Sequence, residues 1–86
     1  MELCIEKMLV VSTAHLSGPY EMEVAGLVYH DLDHGGWLVY CGDDYERGRL
    51  TDGAKAVLEI ARSQGCLWVK FDPDGLELKG IRTYDW

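Results

Sequence analysis

Basic side chains are missing from a long part of this sequence, because no lysine or arginine lies between Met8 and Glu46. Residues 1–46 carry nine acidic residues and one basic residue, whereas residues 47–86 carry six acidic and seven basic residues. Binding to a phosphate backbone or to an anionic membrane requires cationic side chains. We therefore expect no direct nucleic acid binding and no membrane binding. The acidic half instead either attracts a basic partner or keeps the domain soluble.

Long apolar runs are also missing from the chain. No segment approaches the roughly 20 apolar residues that span a bilayer, and the first seven residues lack the basic start and apolar core of a secretory signal. We therefore expect a cytoplasmic protein. A chain of 86 residues predicts a single domain over 1–86, with little room for a deep active-site cavity.

Paired cysteines are absent as well. The three cysteines, Cys4, Cys41 and Cys66, are an odd number and form no C-x-x-C pair. Each lies in a strand-like segment, where a reduced thiol packs as a small apolar group. The sequence therefore suggests neither a disulfide framework nor a cysteine-based zinc site.

The clearest structural signal lies between Leu50 and Gly65, where the apolar residues recur at helical spacing. Thr51 is the expected N-cap, Asp52 suits the positive end of the helix dipole, and Gly65 is expected to end the helix. The buried stripe of this predicted helix consists of Leu50, Ala54, Val57, Leu58 and Ala61.

After the helix the apolar period changes to two, which predicts a strand from Cys66 to Phe71. One face carries Leu67, Val69 and Phe71, and the other carries Cys66, Trp68 and Lys70. Asp72-Pro73-Asp74-Gly75 then predicts a type I turn. The alternation that follows, with Leu76 and Leu78 on one side, predicts the returning strand of a hairpin.

The first half of the chain gives weaker signals. We expect a central strand over Leu3–Thr13 with Met8 and Val10 buried, because the apolar run at 8–11 suggests cover on both faces. A short helix is expected over Pro19–Tyr29. The remaining expected segments are a loop over His30–Gly36, a strand over Trp37–Gly42 with Trp37, Val39 and Cys41 on one face and Leu38 and Tyr40 on the other, and a charged loop over Asp43–Gly48.

Together these elements predict an α+β fold, namely a small two-layer sandwich in the order β-α-β-α-β-β. About four strands would form the sheet, and two helices would cover one of its faces. The other face would stay open and would carry Cys66 and Trp68, joined by Trp37 or Tyr40. Exposed aromatic residues on such a face could form a partner surface.

Three groups of residues have side chains that could carry chemistry. His30 and His34 resemble metal ligands, but no third histidine or cysteine lies near them, so we expect no metal site and no cofactor. Ser12, Thr13 and His15 could suggest a nucleophile and base, yet hydroxyl capping and a structural histidine are the commoner use.

The third group is the segment Leu67 to Gly75, which resembles the strand-plus-DxDG signature of haloacid-dehalogenase-type phosphotransferases. The resemblance implies Asp72 as nucleophile and Asp74 as general acid, with Asp43 and Asp44 similar to the magnesium-binding pair. The order of these motifs is reversed along the chain, and the chain is too short for that fold. A hairpin turn accounts for the segment more simply.

Several short segments also form a recognisable combination across nearly the whole chain. They are Ser12-Thr13-Ala14-His15-Leu16, Gly36-Trp37-Leu38-Val39-Tyr40, Ala61-Arg62 before Gly65-Cys66, Phe71-Asp72 and the terminal Thr83-Tyr84-Asp85-Trp86. This combination resembles an uncharacterised bacterial family of short cytoplasmic proteins found on plasmids, phages and other mobile elements. The resemblance implies a small accessory protein and brings no activity with it.

We therefore expect a non-enzymatic, anti-CRISPR-like inhibitor whose carboxylates compete with nucleic acid phosphates for a basic host protein or nucleoprotein complex. The chain would act as a monomer or homodimer. An accessory assembly subunit and a small magnesium-dependent phosphotransferase are the alternatives. The expected partner-binding residues are Asp31, Asp33, Asp43, Asp44, Glu46, Glu21, Glu23, Trp37 and Trp68.

Overall fold

The computed structural model describes residues 6–18, 28–33, 35–41 and 50–84. In chain order the described elements are β1 (Met8–Ser12), a 3-10 turn (Thr13–His15), β2 (Tyr29–Asp31), β3 (Trp37–Tyr40), the helix α1 (Asp52–Ser63) and β4 (Trp68–Asp72). Four strands and one helix agree with an α+β fold. The predicted order and the two-helix count are not matched within the described ranges.

The strands form one mixed sheet in the order β1-β4-β3-β2. β1 runs parallel to β4, with Met8 opposite Trp68 and Val11 opposite Phe71. β3 lies antiparallel to both β4 and β2. β1 is therefore an edge strand of this sheet, and its predicted central position is wrong.

The prediction that Met8 and Val10 are buried is also wrong. Met8 is 49% exposed and Val10 is 42% exposed, whereas Val11 is fully buried and Leu9 packs against the core. Successive strand residues point to opposite faces, and α1 packs on the face that carries Leu9 and Val11. The strand is also shorter than the predicted range 3–13, of which residues 3–5 lie outside the described ranges.

The helix α1 supplies one side of the core, and its predicted stripe is confirmed. Thr51 is the N-cap, although its side chain makes no capping hydrogen bond. The chain leaves the helix through Gly65, whose φ of 77° is the expected left-handed conformation. The buried members of the stripe are Leu50, Ala54, Val57, Leu58 and Ala61.

The turn after α1 explains why Cys66 is buried rather than on the open face. The Cys66 N–H donates to the Ala61 carbonyl at 2.8 Å, and the Gly65 N–H donates to the Arg62 carbonyl at 3.1 Å. This pair of bonds is a Schellman motif, which folds the residue after the glycine back against the helix. Cys66 is consequently only 9% exposed and belongs to the core.

β4 has the predicted alternation, because Val69 and Phe71 are fully buried while Trp68 and Lys70 are half-buried on the other face. The predicted turn follows, and the Gly75 N–H donates to the Asp72 carbonyl at 2.8 Å.

The returning strand predicted after this turn is wrong. Residues 76–78 form no strand, and Leu76 is 72% exposed. The physical reason is that β4 already pairs with β1 on one side and β3 on the other, so no edge remains for a hairpin partner.

The segment before β3 differs from the prediction. Tyr29, expected at the end of a helix, begins β2 instead, and residues 19–27 of that predicted helix lie outside the described ranges. His30 and Asp31, expected in a loop, complete β2. β3 itself is confirmed with the predicted faces, because Val39 and the following Cys41 are fully buried. The charged loop predicted over Asp43–Gly48 lies outside the described ranges.

Candidate functional site

The face of the sheet opposite α1 is uncovered by the described elements, and we call it the open face. The pairing register fixes its membership, because residues directly opposite each other on neighbouring strands point to the same side. Its members are Met8 and Val10 of β1, Trp68 and Lys70 of β4, Leu38 and Tyr40 of β3, and His30 of β2.

An aromatic pair lies on the two central strands of the open face, β3 and β4. The Tyr40 and Trp68 rings lie edge to face, with centroids 5.0 Å apart and an interplanar angle of 65°. The His30 ring lies 6.4 Å from Trp68. The Trp68 Nε1–H donates to the Glu6 Oε2 at 2.6 Å, so the polar edge of the indole is satisfied within the chain. The aromatic surface of Trp68 is therefore held in a defined position.

The positive charge on this face is neutralised locally. The Lys70 Nζ lies 3.4 Å from the Asp72 Oδ2, and both side chains are partly exposed. Asp72 also accepts a hydrogen bond from the Asp74 N–H at 2.9 Å. Lys70 and Leu38 thus occupy the central row of the face, the aromatic pair lies toward the Glu6 end, and Asp72 and Asp74 lie at the other end of β4.

The structure separates the two tryptophans proposed as partner-binding residues. Trp68 lies on the open face, as predicted, together with Tyr40. Trp37 lies opposite Phe71 and packs against the core, so of the two residues offered for this face, Trp37 or Tyr40, it is Tyr40 that joins Trp68. The sequence analysis missed Met8 and Val10 as members of this face, because the apolar run at 8–11 does not show which of its sides is exposed.

The acidic residues expected to bind a partner are described only in part. Asp31 ends β2 and Asp33 lies in the turn that follows, and both are exposed. Because one residue separates them, they form a local pair of carboxylates at the β2 edge of the sheet. The other five predicted carboxylates lie outside the described ranges, namely Glu21, Glu23, Asp43, Asp44 and Glu46.

His15 is fully buried, and both of its ring nitrogens bind the backbone of the C-terminal segment. The Leu78 N–H donates to Nε2 at 2.9 Å, which makes Nδ1 the protonated nitrogen that donates to the Arg82 carbonyl at 2.9 Å. The Ser12 Oγ accepts from the Ala14 N–H at 3.0 Å. The expectation of hydroxyl capping and a structural histidine is therefore confirmed.

Tyr84 joins the same cluster from the C-terminal segment. Its N–H donates to the Ala14 carbonyl at 2.7 Å, and its hydroxyl accepts from the Gly53 N–H at 3.3 Å. The Arg82 guanidinium lies 5.1 Å from the centre of the Tyr84 ring. Tyr84 thus packs on the start of α1 and the 3-10 turn, and the last two residues lie outside the described ranges.

A shallow cleft of about 390 Å³ lies at the ends of β1 and β4. It is open to solvent, and the polar side chains at its wall are few. The residues that line it are Ser12, Thr13, Ala14, Gly35, Pro73 and Tyr84. The cleft therefore brings together several of the segments that carry the family resemblance.

The two described cysteines are buried, and the described histidines and carboxylates form no metal site. Cys41 and Cys66 are buried and free, and the Cys41 thiol donates to the Cys66 carbonyl at 3.3 Å. Burial away from water raises the pKa of the Cys41 thiol, and the neighbouring Cys66 adds to this effect. Among the described residues no three histidine, cysteine or carboxylate side chains are grouped to hold a metal, and His34 lies outside them.

No described helix has the length and apolar character needed to cross a membrane. Comparison with curated proteins and with solved structures gave no match. A family model, described as the C-terminal domain of the family of unknown function DUF5983, matches residues 8–86. Because this match covers nearly the whole chain, the protein belongs to the DUF5983 family.

Proposed function

We propose that this protein is a non-enzymatic interaction protein that binds a basic protein through its open face. The observation that carries the proposal is the aromatic pair of Tyr40 and Trp68, flanked by the exposed side chains of Met8 and Val10. Interface centres are enriched in tryptophan, tyrosine and methionine. Three neighbouring residues of these types, Tyr40, Trp68 and Met8, lie on the face that the described elements leave uncovered, and they fit that composition.

The charge of the chain supports a basic partner. The net charge is −7, and the carboxylates of Glu6 and Asp74 lie near the ends of the open face. A partner with an apolar patch and basic groups beside it would match the aromatic pair and these carboxylates at the same time. Opposite charges at the rim accelerate association and select against acidic partners.

The biological form that we propose is inhibition of a nucleic-acid-binding defence complex in the cytoplasm of a bacterial host, by a protein carried on mobile elements. Exposed carboxylates such as Asp31 and Asp33 would compete with nucleic acid phosphates for lysine and arginine side chains, as in an anti-CRISPR protein. The proposal also includes five further carboxylates, namely Glu21, Glu23, Asp43, Asp44 and Glu46.

An accessory assembly subunit is the first alternative, and the open face supports it as well as it supports an inhibitor. A magnesium-dependent phosphotransferase is the second. The contacts of Asp72 favour it less, because this carboxylate accepts the Asp74 N–H and pairs with Lys70. A nucleophile engaged in both contacts would have to leave them before it could attack a phosphoryl group.

Calorimetry with a candidate partner, first identified by capture from host lysate and mass spectrometry, tests the proposal. We expect Trp68→Ala to weaken binding by roughly 30-fold, as at an interface hot spot. Glu59→Gln, on the exposed side of α1, is the matched control and should leave the affinity unchanged. Equal affinity of Trp68→Ala and the wild-type protein would exclude the open face as the binding surface.

The same measurement separates the inhibitor from its alternatives. Neutralising Asp31, Asp33, Asp43, Asp44 and Glu46 to Asn and Gln should abolish binding with the fold intact. The wild-type affinity should also fall steeply with salt, because exposed charges are screened over about 10 Å. An assembly subunit would instead respond to Trp68→Ala and little to salt or to neutralisation. A phosphotransferase would require that Asp72→Asn abolish a magnesium-dependent phosphatase activity.

A further inference from the structure

The outer edge of β1 is a second surface, distinct from the open face, at which another chain could bind. Among the described strands, β1 lies at the end of the sheet and pairs with β4 alone. An unpaired strand edge presents backbone donors and acceptors that can pair with another strand. The edge is therefore a possible contact surface in addition to the face.

The hydrogen bonds at the two ends of β1 show which of its residues point their backbone groups away from β4. The Leu67 N–H donates to the Lys7 carbonyl at 3.2 Å, so Lys7 points its backbone toward β4. Backbone groups alternate sides along a strand, and Met8, Val10 and Ser12 therefore point their N–H and C=O groups outward. The Ser12 N–H is taken by the Leu76 carbonyl at 3.0 Å. Across this edge, Met8 and Val10 have no backbone partner among the described residues.

The two edges of the sheet differ in how they are protected against pairing. β2, at the far edge, has only three residues and carries the exposed His30 and Asp31. A short strand with a charge is a usual protection of an edge. β1 has five residues, MLVVS, with no charge and no proline. Between Met8 and Val10 the edge of β1 therefore carries neither charge nor proline, and the segment of Leu76 covers it only at Ser12.

We propose that the edge of β1 pairs with the same edge of a second copy of this chain, antiparallel and centred on Leu9. In this register the outward backbone groups of Met8 meet those of Val10 in the second copy, and the reverse pair follows by symmetry. Two outward residues placed equally about Leu9 make the edge self-complementary, as a two-fold interface requires. The exposed Met8 side chain then lies beside Val10 of the second copy.

Charge complementarity supports a second copy as the occupant. Antiparallel pairing brings the exposed Lys7 of one copy near the end of β1 in the other. The segment with the exposed Asp74 and Glu77 lies at that end, since Leu76 binds Ser12 there. The resulting eight-stranded sheet keeps both open faces accessible, so the dimer does not depend on the function proposed above.

The mass of the full chain in solution, measured by light scattering at increasing concentration, tests this pairing. We expect a shift from the 9.7 kDa of one chain to twice that mass. Val10→Pro removes an outward N–H without removing a bond to β4 and should keep the chain monomeric. Val10→Ala keeps the N–H and is the matched control, which should still dimerise.

A cross-linking variant tests the proposed dimer even if Val10→Pro fails to fold. Leu9 lies opposite Leu9 of the second copy as a pair without hydrogen bonds, where Cα atoms are about 4.5 Å apart and a disulfide can form. In a Cys4→Ser background, Leu9→Cys should form a covalent dimer with oxidised glutathione, whereas Glu59→Cys should not. The thiol pair loses two electrons and two protons, and the glutathione disulfide is reduced to two thiols.

Salt distinguishes this pairing from binding of a basic partner. Because backbone hydrogen bonds and the contacts between Met8 and Val10 hold most of this dimer, added salt should change it far less than it weakens the basic complex. A mass that stays at 9.7 kDa, with no more cross-linking of Leu9→Cys than of Glu59→Cys, would overturn the dimer. The binding experiments with Trp68→Ala would remain interpretable in that case.

Discussion

At the scale of single residues, Gly53 is the position where the side-chain cluster around His15 leaves least room. A Cβ atom there would lie 2.6 Å from the Arg82 carbonyl oxygen and 2.8 Å from that of His15. Alanine favours helices by about 1 kcal/mol over glycine. Contacts this short with backbone atoms outweigh that preference, because neither carbonyl can move without moving its segment.

We therefore predict that Gly53→Ala lowers the free energy of unfolding by about 1–3 kcal/mol, the usual cost of overpacking. Urea unfolding monitored by circular dichroism measures this change. Lys55→Ala, on the exposed side of the same helix turn, is the control and should leave stability nearly unchanged. A Gly53→Ala variant more stable than the wild-type protein would show that the cluster is loosely packed.

The buried thiol of Cys41 makes the free energy of unfolding depend on pH. Burial raises its pKa in the folded protein, so the unfolded thiol ionises first as the pH rises. Ionisation then stabilises only the unfolded chain, and the free energy of unfolding falls with pH above about 8.5.

We predict that this loss of stability between neutral and alkaline pH is smaller in Cys41→Ala than in the wild-type protein. Urea unfolding of both proteins at the two pH values, with a reducing agent present, measures the difference. The alanine variant is expected to be less stable at both values because it lacks a buried group. An equal loss of unfolding free energy in the two proteins would contradict the prediction that the Cys41 thiol causes it.

At the scale of elements, α1 is stabilised by its buried stripe. Val57 is fully buried at the middle of this stripe, whereas Glu59 is exposed on the opposite side. We predict that Val57→Asp destabilises the domain by several kcal/mol, because a carboxylate would be buried without a partner. Glu59→Lys should change stability by less than about 1 kcal/mol. Equal melting temperatures of the two variants would mean that the helix packs on another side.

How well each element could be predicted depends on where its determinants lie. The stripe of α1 and the stop at Gly65 follow from local spacing, and the alternation in β4 placed Trp68 on the open face correctly. β2 was missed because three residues with a histidine and an aspartate give no strand signal. The strand expected after Gly75 failed because both sides of β4 were already paired, which no local pattern reveals.

At the scale of the whole molecule, the limits of prediction come from contacts between distant segments. The run at 8–11 reads as a buried strand, and only the packing of α1 on the side of Leu9 and Val11 explains the exposure of Met8 and Val10. His15 is likewise fixed by residues 78 and 82, which share no spacing signal with it. The open face was therefore partly predictable, whereas its β1 residues, Met8 and Val10, and the contacts of His15 with the C-terminal segment were not.

The pairing of β1 with β4 also has a consequence for how the protein forms during synthesis. Met8 pairs with Trp68, 60 positions later in the chain, and His15 accepts a hydrogen bond from Leu78, 63 positions later. When β1 leaves the ribosome, neither its sheet neighbour nor the backbone groups that hold His15 yet exist. The pairing of β1 and the contacts of His15 can therefore form only late in synthesis, and until then an uncharged apolar strand remains open to chaperones and to neighbouring nascent chains.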